Sequence, residues 1–160
     1  MRTAYVVFTE DKQYLLWQTE LLLHSIFTRA GISLQDCVVL YTDPEQFDPR
    51  RVNDPYQPSP YLSGLLEKTP STRFHRVENF GRRNWYFKFK GEGAWDNKSY
   101  PGLNKWSSLV EAANAGWFED FDEVVVLEQD LWFSGEFPSL PVGNCCTDNW
   151  INSRYSAFEV

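Results

Sequence analysis

The segment Phe121–Phe133, FDEVVVLEQDLWF, constrains this chain more than any other. Val124, Val125, Val126 and Leu127 form a short β-branched run that ends abruptly in Glu128, Gln129 and Asp130. Such a run suits a buried strand that delivers carboxylates to the edge of a sheet. Side chains alternate along an extended chain, so Glu128 and Asp130 are expected on one face, within reach of one cation, with Gln129 on the other. The same letters also describe a strand running into an ordinary acidic turn, and the neighbouring segments must decide.

Those segments read as an α/β pattern. Thr3–Phe8 is a strand closed by Thr9, Glu10 and Asp11. From Gln13 to Ala30, Leu15, Leu22 and Ile26 recur at helical spacing, with Leu16, Leu23 and Phe27 beside them, and Gly31 stops the helix. Asp36–Asp43 repeats the first strand's design, an apolar run followed by Thr42 and an acid. Strand, helix and strand make a right-handed βαβ unit. Pro44–Pro70 holds six of the nine prolines, with one short helix over Tyr61–Lys68, and Thr72–Val77 is a further strand. Leu103–Ala115 is the second clear helix, its expected apolar stripe formed by Trp106, Leu109, Val110, Ala113 and Trp117, with Pro101 before it and Gly116 ending it. Strands alternating with helices predict a three-layer, Rossmann-like α/β domain with a mostly parallel sheet, whose ligands bind beyond the carboxyl ends of the strands. Thr9 and Glu10, Thr42 and Asp43, and Glu128 and Asp130 all fall at such ends.

Length and charge narrow the reading. The 160 residues fit one domain, 1–160, large enough to bury roughly two-thirds of the surface of its unfolded chain. An aromatic content of 17% argues for a folded chain, and a net charge of -7 argues against general nucleic-acid binding. An anionic ligand would need a metal or a local basic patch. Gly81–Tyr100 interleaves Arg82, Arg83, Lys88, Lys90 and Lys98 with aromatic residues, either as an edge hairpin or as the wall of a ligand cleft. Cys37, Cys145 and Cys146 form neither a disulfide framework nor a zinc spacing. No secretory signal or membrane segment is readable, so as written the chain is expected in the cytoplasm; as part of a longer protein it would suit the Golgi or secretory lumen. His24 and His75 have no partner acid at a useful spacing and read as structural. Without a GxGxxG or Walker loop, dinucleotide and P-loop chemistry are disfavoured.

The stretch YPGLNKWSSLVEAANAGWFEDFDEVVVLEQDLWF resembles the core of GT-A type glycosyltransferases, in which a helix opening near a basic residue leads into a strand ending in a DxD-type motif. It is similar in particular to the hydroxyproline O-arabinosyltransferases and peptidyl serine α-galactosyltransferases, with their YP-LN-W helix start and acid-x-Asp motif. The resemblance spans about Thr3–Pro138 and is specific over Tyr100–Phe133. It implies a GT-A nucleotide-diphospho-sugar transferase fold, with Asp130 and Glu128 holding Mn²⁺ or Mg²⁺, and Asp130 the more direct ligand. Such a cation stabilises charge on a leaving diphosphate, and hard oxygen ligands suit it. Glu128 replaces the commoner Asp of the motif. The resemblance places Thr9 and Glu10 at the nucleotide base and ribose, Lys105 at the diphosphate, and Asn104, Asp43 and Gln129 in the same nucleotide-sugar site. Each has a plainer alternative: caps of the following helix for Thr9 and Glu10, a helix cap for Asn104, a solvated lysine for Lys105, and a turn before Pro44 for Asp43.

The implied activity is metal-dependent transfer of a sugar from a nucleoside diphosphate donor, UDP-linked in these relatives, to a hydroxyl of a peptide or glycan. No catalytic residue can be named. The terminal INSRYSAFEV resembles the NSG strand of glycogenin-like transferases, with Arg154 where glycine is expected, and the acceptor-binding part looks incomplete. The alternative is a non-catalytic GT-A-like domain serving as a nucleotide-binding or interaction module. A haloacid-dehalogenase-like phosphatase needs an Asp where Glu128 stands.

Overall fold

The computed structural model describes residues 1–43, 56–78 and 102–136. Their elements, in chain order, are β1 (Thr3–Glu10), α1 (Gln13–Thr28), a 3₁₀ turn (Leu34–Asp36), β2 (Cys37–Thr42), α2 (Pro60–Lys68), β3 (Arg73–Arg76), α3 (Gly102–Asn114) and β4 (Glu123–Leu127). Each element expected within these residues is present, with ends shifted by a few residues. Gly81–Tyr100, Cys145, Cys146 and the terminal INSRYSAFEV lie outside them.

The four strands form an all-parallel sheet in the order β3-β2-β1-β4. Alternation along the strands divides the core into two layers. On one face Val7, Cys37, Val39 and Leu127 pack against Leu16, Leu22, Leu23 and Ile26 of α1 and Leu62 and Leu65 of α2. On the other, Ala4, Val6, Val38 and Leu40 meet Ala112 of α3 and Val77. Each fully buried Leu, Ile or Val contributes roughly 1.5–3 kcal/mol, so the two layers carry most of the favourable free energy. The result is a three-layer α/β arrangement compatible with a Rossmann-like fold.

Local chemistry sets the helix ends. Gly31 takes a positive φ of 68° just past α1, where the Ile32 N–H reaches the Ile26 carbonyl at 3.2 Å. Gly116 does the same after α3 at 73°. α2 begins at Ser59, whose hydroxyl accepts from the Leu62 N–H at 3.1 Å, with Pro60 in the first turn.

Three packing expectations are corrected. Phe27 is 60% exposed and Leu15 only half-buried, because the sheet-facing side of α1 runs through Leu16, Leu22, Leu23 and Ile26. The buried side of α3 is Asn104, Ser108 and Ala112, while Trp106 and Val110 are 62% and 61% exposed. Small side chains at successive i+4 positions let this helix approach the sheet; periodicity finds an apolar stripe without saying which way it faces. β4 is the edge strand of the described sheet, with Val124 exposed, so it is not a strand buried on both faces.

Cys37 is fully buried, and burial, reinforced by Asp36, pushes its thiol up to about 12. It is a packing residue without nucleophilic character at neutral pH. His75 stacks on Trp117, ring centroids 4.1 Å apart and 14° from parallel, tying β3 to the turn after α3. Burial, then the nearby Arg73, holds its pKa below the ordinary 6.5. The unfolded chain therefore binds this proton more tightly: the stack's contribution is complete above 6.5 and declines as pH falls below it. Urea unfolding midpoints should fall between about pH 7 and about pH 5.5, and fall less in His75→Gln. An equal loss in both proteins would remove His75 as the cause. No helix among the described residues is long and apolar enough to cross a membrane.

Candidate functional site at the switch point of the sheet

The chain winds outward from β1 to β2 and β3, then returns to the other side of β1 for β4. Open α/β sheets bind ligands in the crevice expected at such a reversal, here beyond the carboxyl ends of β1 and β4. Register fixes what gathers there. Glu10 pairs with Thr42, so the two lie side by side, and alternation puts both on the α3 face, in line with Val6 and Val38. Ala112 packs lower on that face, and the buried Ser108 and Asn104 follow one and two turns closer to the strand ends. Lys105, in the first turns of α3, reaches Glu128 just past β4 and forms an ion pair with it. Its Nζ also lies 5.4 Å from the centre of the Trp106 ring.

This places each expected residue. Glu10 is 2% exposed and ion-paired with Lys12 at 2.5 Å. Thr9 is buried and its hydroxyl donates to the Glu10 carbonyl at 3.4 Å. Neither caps α1, whose N-cap is Lys12, without a side-chain bond. Asn104 lies within α3 and is fully buried, so it is not a helix cap. Lys105 is paired, with 20% of its side chain exposed, and so is not a solvated lysine. Asp43 sits across the edge, 3.9 Å from Arg76.

The acid-x-Asp motif needs correcting in shape. β4 ends at Leu127, and the chain turns over Glu128–Leu131, with the Leu131 N–H donating to the Glu128 carbonyl at 3.2 Å. Strand alternation therefore does not extend to Asp130, and the argument that both acids share one pleated face does not hold. Register adds a step: Leu127 pairs with Val7, which leaves Glu128 two residues short of the level of Glu10, about 7 Å at the rise of a strand. Asp130 is exposed, without a hydrogen bond or ion pair among the described residues, and Gln129 is half-buried.

Two features escape a sequence reading. Among the described residues the buried hydroxyls of Thr42 and Ser108 have no hydrogen-bond partner, although buried polar groups nearly always have one. Both face the polar layer between α3 and the strand ends. Asp11 accepts from the Tyr56 hydroxyl at 2.7 Å, the Ser59 N–H at 2.8 Å and the Ser59 hydroxyl at 2.5 Å. Arg76 lies over the Tyr56 ring, 4.1 Å from its centre, and Tyr41 lies beside it. Burial, then the bond to Asp11, pushes the Tyr56 pKa up and keeps its hydroxyl a donor. The cluster is satisfied from within and braces the β1 end of the crevice.

Among the described residues no group of three or more His, Cys, Asp or Glu side chains could hold a metal ion. Glu128 and Asp130 can supply two carboxylates, which suffices for a hard cation only when ligand oxygens and water complete its shell. The Lys105 ammonium already occupies a cation's position against Glu128. No family model matches the chain, and no curated protein or solved structure is significantly similar to it.

Proposed function

We propose that the crevice binds a nucleoside diphosphate sugar together with a divalent cation, and that the chain belongs to the metal-dependent glycosyltransferases of GT-A type. The observation that carries the reading is the convergence at the switch point of Lys105, Glu128 and the opening turns of α3 with Glu10 and Thr42 from the neighbouring strand ends. A diphosphate is recognised there by the Lys105 ammonium and by the positive end of α3. Glu128 and Asp130 hold the cation, Mn²⁺ or Mg²⁺, through oxygen. That cation supplies neutralisation of the charge that grows on the diphosphate as the glycosidic bond breaks. The unpartnered hydroxyls of Thr42 and Ser108 face the layer where a polyhydroxylated ligand would meet them.

Calorimetric titration of UDP, with and without Mn²⁺, tests this on the wild-type chain and on Asp130→Ala. Binding is expected with Mn²⁺, at least about tenfold weaker without it, and equally weakened by the substitution, a difference of about 1.4 kcal/mol. Equal affinity in all three conditions sinks the proposal. Metal-dependent binding without turnover of any UDP-sugar would leave the nucleotide-binding module.

A further inference from the structure

We infer that Ser25, inside α1 and on the opposite face of the sheet from Lys105, is a positioning residue for the acid turn Glu128–Leu131, holding Asp130 where the cation binds. The inference rests on the donor-site reading above. β4 stops at Leu127, paired with Val7, so the ladder of the sheet does not carry on into Glu128, Gln129 and Asp130. The chain beyond them is fastened to α1 instead. The Phe133 N–H donates to the Ser25 hydroxyl at 3.1 Å, and the Phe133 side chain packs against the core layer that α1 fills. Trp132 lies against His24, ring centroids 6.4 Å apart. Ser25 is in the last turn of α1, a helix that starts at the carboxyl end of β1 and runs back along the sheet. The chain therefore climbs β4, turns over Glu128–Leu131 and returns against α1, with Gln129 and Asp130 at the tip.

The chemistry of Ser25 suits this task. Serine is a poorer helix former than alanine, and this one is fully buried beside Leu22 and Ile26 in an apolar layer. Its hydroxyl proton goes to the Leu22 carbonyl at 2.9 Å, which leaves the oxygen to accept from another donor. That donor is the Phe133 N–H, a backbone group in neither strand nor helix. The turn is thus gripped from both faces, by Lys105 of α3 at Glu128 and by Ser25 of α1 at Phe133. The two grips differ in kind. On the donor-site reading the ion pair is given up when the Lys105 ammonium meets a diphosphate, whereas the Ser25 bond competes with no ligand and persists. Once Glu128 is released, the returning leg keeps Asp130 aimed at the cation. Contacts that orient a metal-binding carboxylate change metal affinity about 10–100-fold, and Ser25 acts one step further out.

Calorimetry of UDP with and without Mn²⁺ tests this on the wild type, Ser25→Ala, Asp130→Ala and the double variant. Ser25→Ala should leave metal-free UDP affinity within about twofold, yet cut the gain conferred by Mn²⁺ from at least about tenfold to about threefold or less. In the Asp130→Ala background it should change nothing further, because its effect travels through Asp130. Without any ligand, Ser25→Ala should speed backbone hydrogen exchange over Glu128–Phe133 at least about fivefold, while β4 and the first turns of α1 keep their rates. If Ser25→Ala folds poorly, Trp132→Ala loosens the same leg from its 53% exposed side and should lower the Mn²⁺ gain by about half. An unchanged Mn²⁺ gain in the folded variant, beside a wild type that shows one, overturns the role of Ser25 and leaves the donor site standing. So does a full further loss in the double variant, or exchange over Glu128–Phe133 that is unchanged or rises only as much as in the rest of the chain. A wild type whose UDP binding is indifferent to Mn²⁺ overturns the donor site and the role of Ser25 together.

Discussion

Replacing Asp11 with alanine is expected to cost about 3–5 kcal/mol of folding stability, a large part of what holds a domain of this size together. Asp11 is 8% exposed, and its carboxylate accepts from Tyr56 and twice from Ser59, fastening the end of β1 to the start of α2 across 48 residues of chain. Hydrogen bonds to a buried charge contribute roughly 1.5–3 kcal/mol each and are not additive, because all three share one acceptor group. Alanine also strands the Ser59 N–H and the Tyr56 hydroxyl in a partly buried setting. Asp11→Asn keeps an acceptor but turns an amide toward donors, and should lose about half as much. Tyr56→Phe removes one bond to the carboxylate and should lose about 1.5–3 kcal/mol. Urea denaturation with an unchanged m-value measures all three. A loss below about 1 kcal/mol in Asp11→Ala would make the cluster incidental to stability.

That cluster marks where the sequence stops being legible. The strands and helices were readable because β-branched runs and helical spacing are local signals, and because Gly31, Ser59 and Gly116 mark helix ends by their own backbone chemistry. The parallel sheet followed from the alternation of elements. Local signals do not carry register. That β4 stops three residues short of the end of β1, and that Glu10 and Thr42 are neighbours, depends on pairings across more than thirty residues of chain. Face is equally non-local: Asn104, Ser108 and Ala112 go inward because they are small or polar enough to fit between helix and strand ends, where Trp106 and Val110 cannot. Lys105 and Glu128 were both singled out as ligand residues, yet their pairing with each other was not legible, since it needs the packing of α3 over the edge of β4.

The pairing of Lys105 with Glu128 leads to the sharpest functional expectation. With no diphosphate bound, the ammonium neutralises the carboxylate, and Mn²⁺ alone should bind weakly. On the proposed function, a diphosphate would draw the ammonium to its own oxygens and leave Glu128 to the cation, so the two ligands should bind cooperatively, each raising the affinity of the other by the same factor. Lys105→Met removes the competing cation and the diphosphate contact together. It should tighten Mn²⁺ binding measured alone, weaken UDP binding in the presence of Mn²⁺ by about 10–100-fold, and abolish most of the coupling. Folding stability should change by less than about 1 kcal/mol, because 60% of the Glu128 side chain is exposed and such ion pairs contribute little. Glu128→Gln should leave Lys105 available to the diphosphate, so that UDP binding loses its Mn²⁺ dependence before it loses affinity. Calorimetry of Mn²⁺ alone, UDP alone and the two together, on the wild type and both variants, separates these effects. If Lys105→Met leaves Mn²⁺ binding and the coupling unchanged, the ion pair is a surface contact and the proposed diphosphate site at Lys105 and Glu128 is wrong.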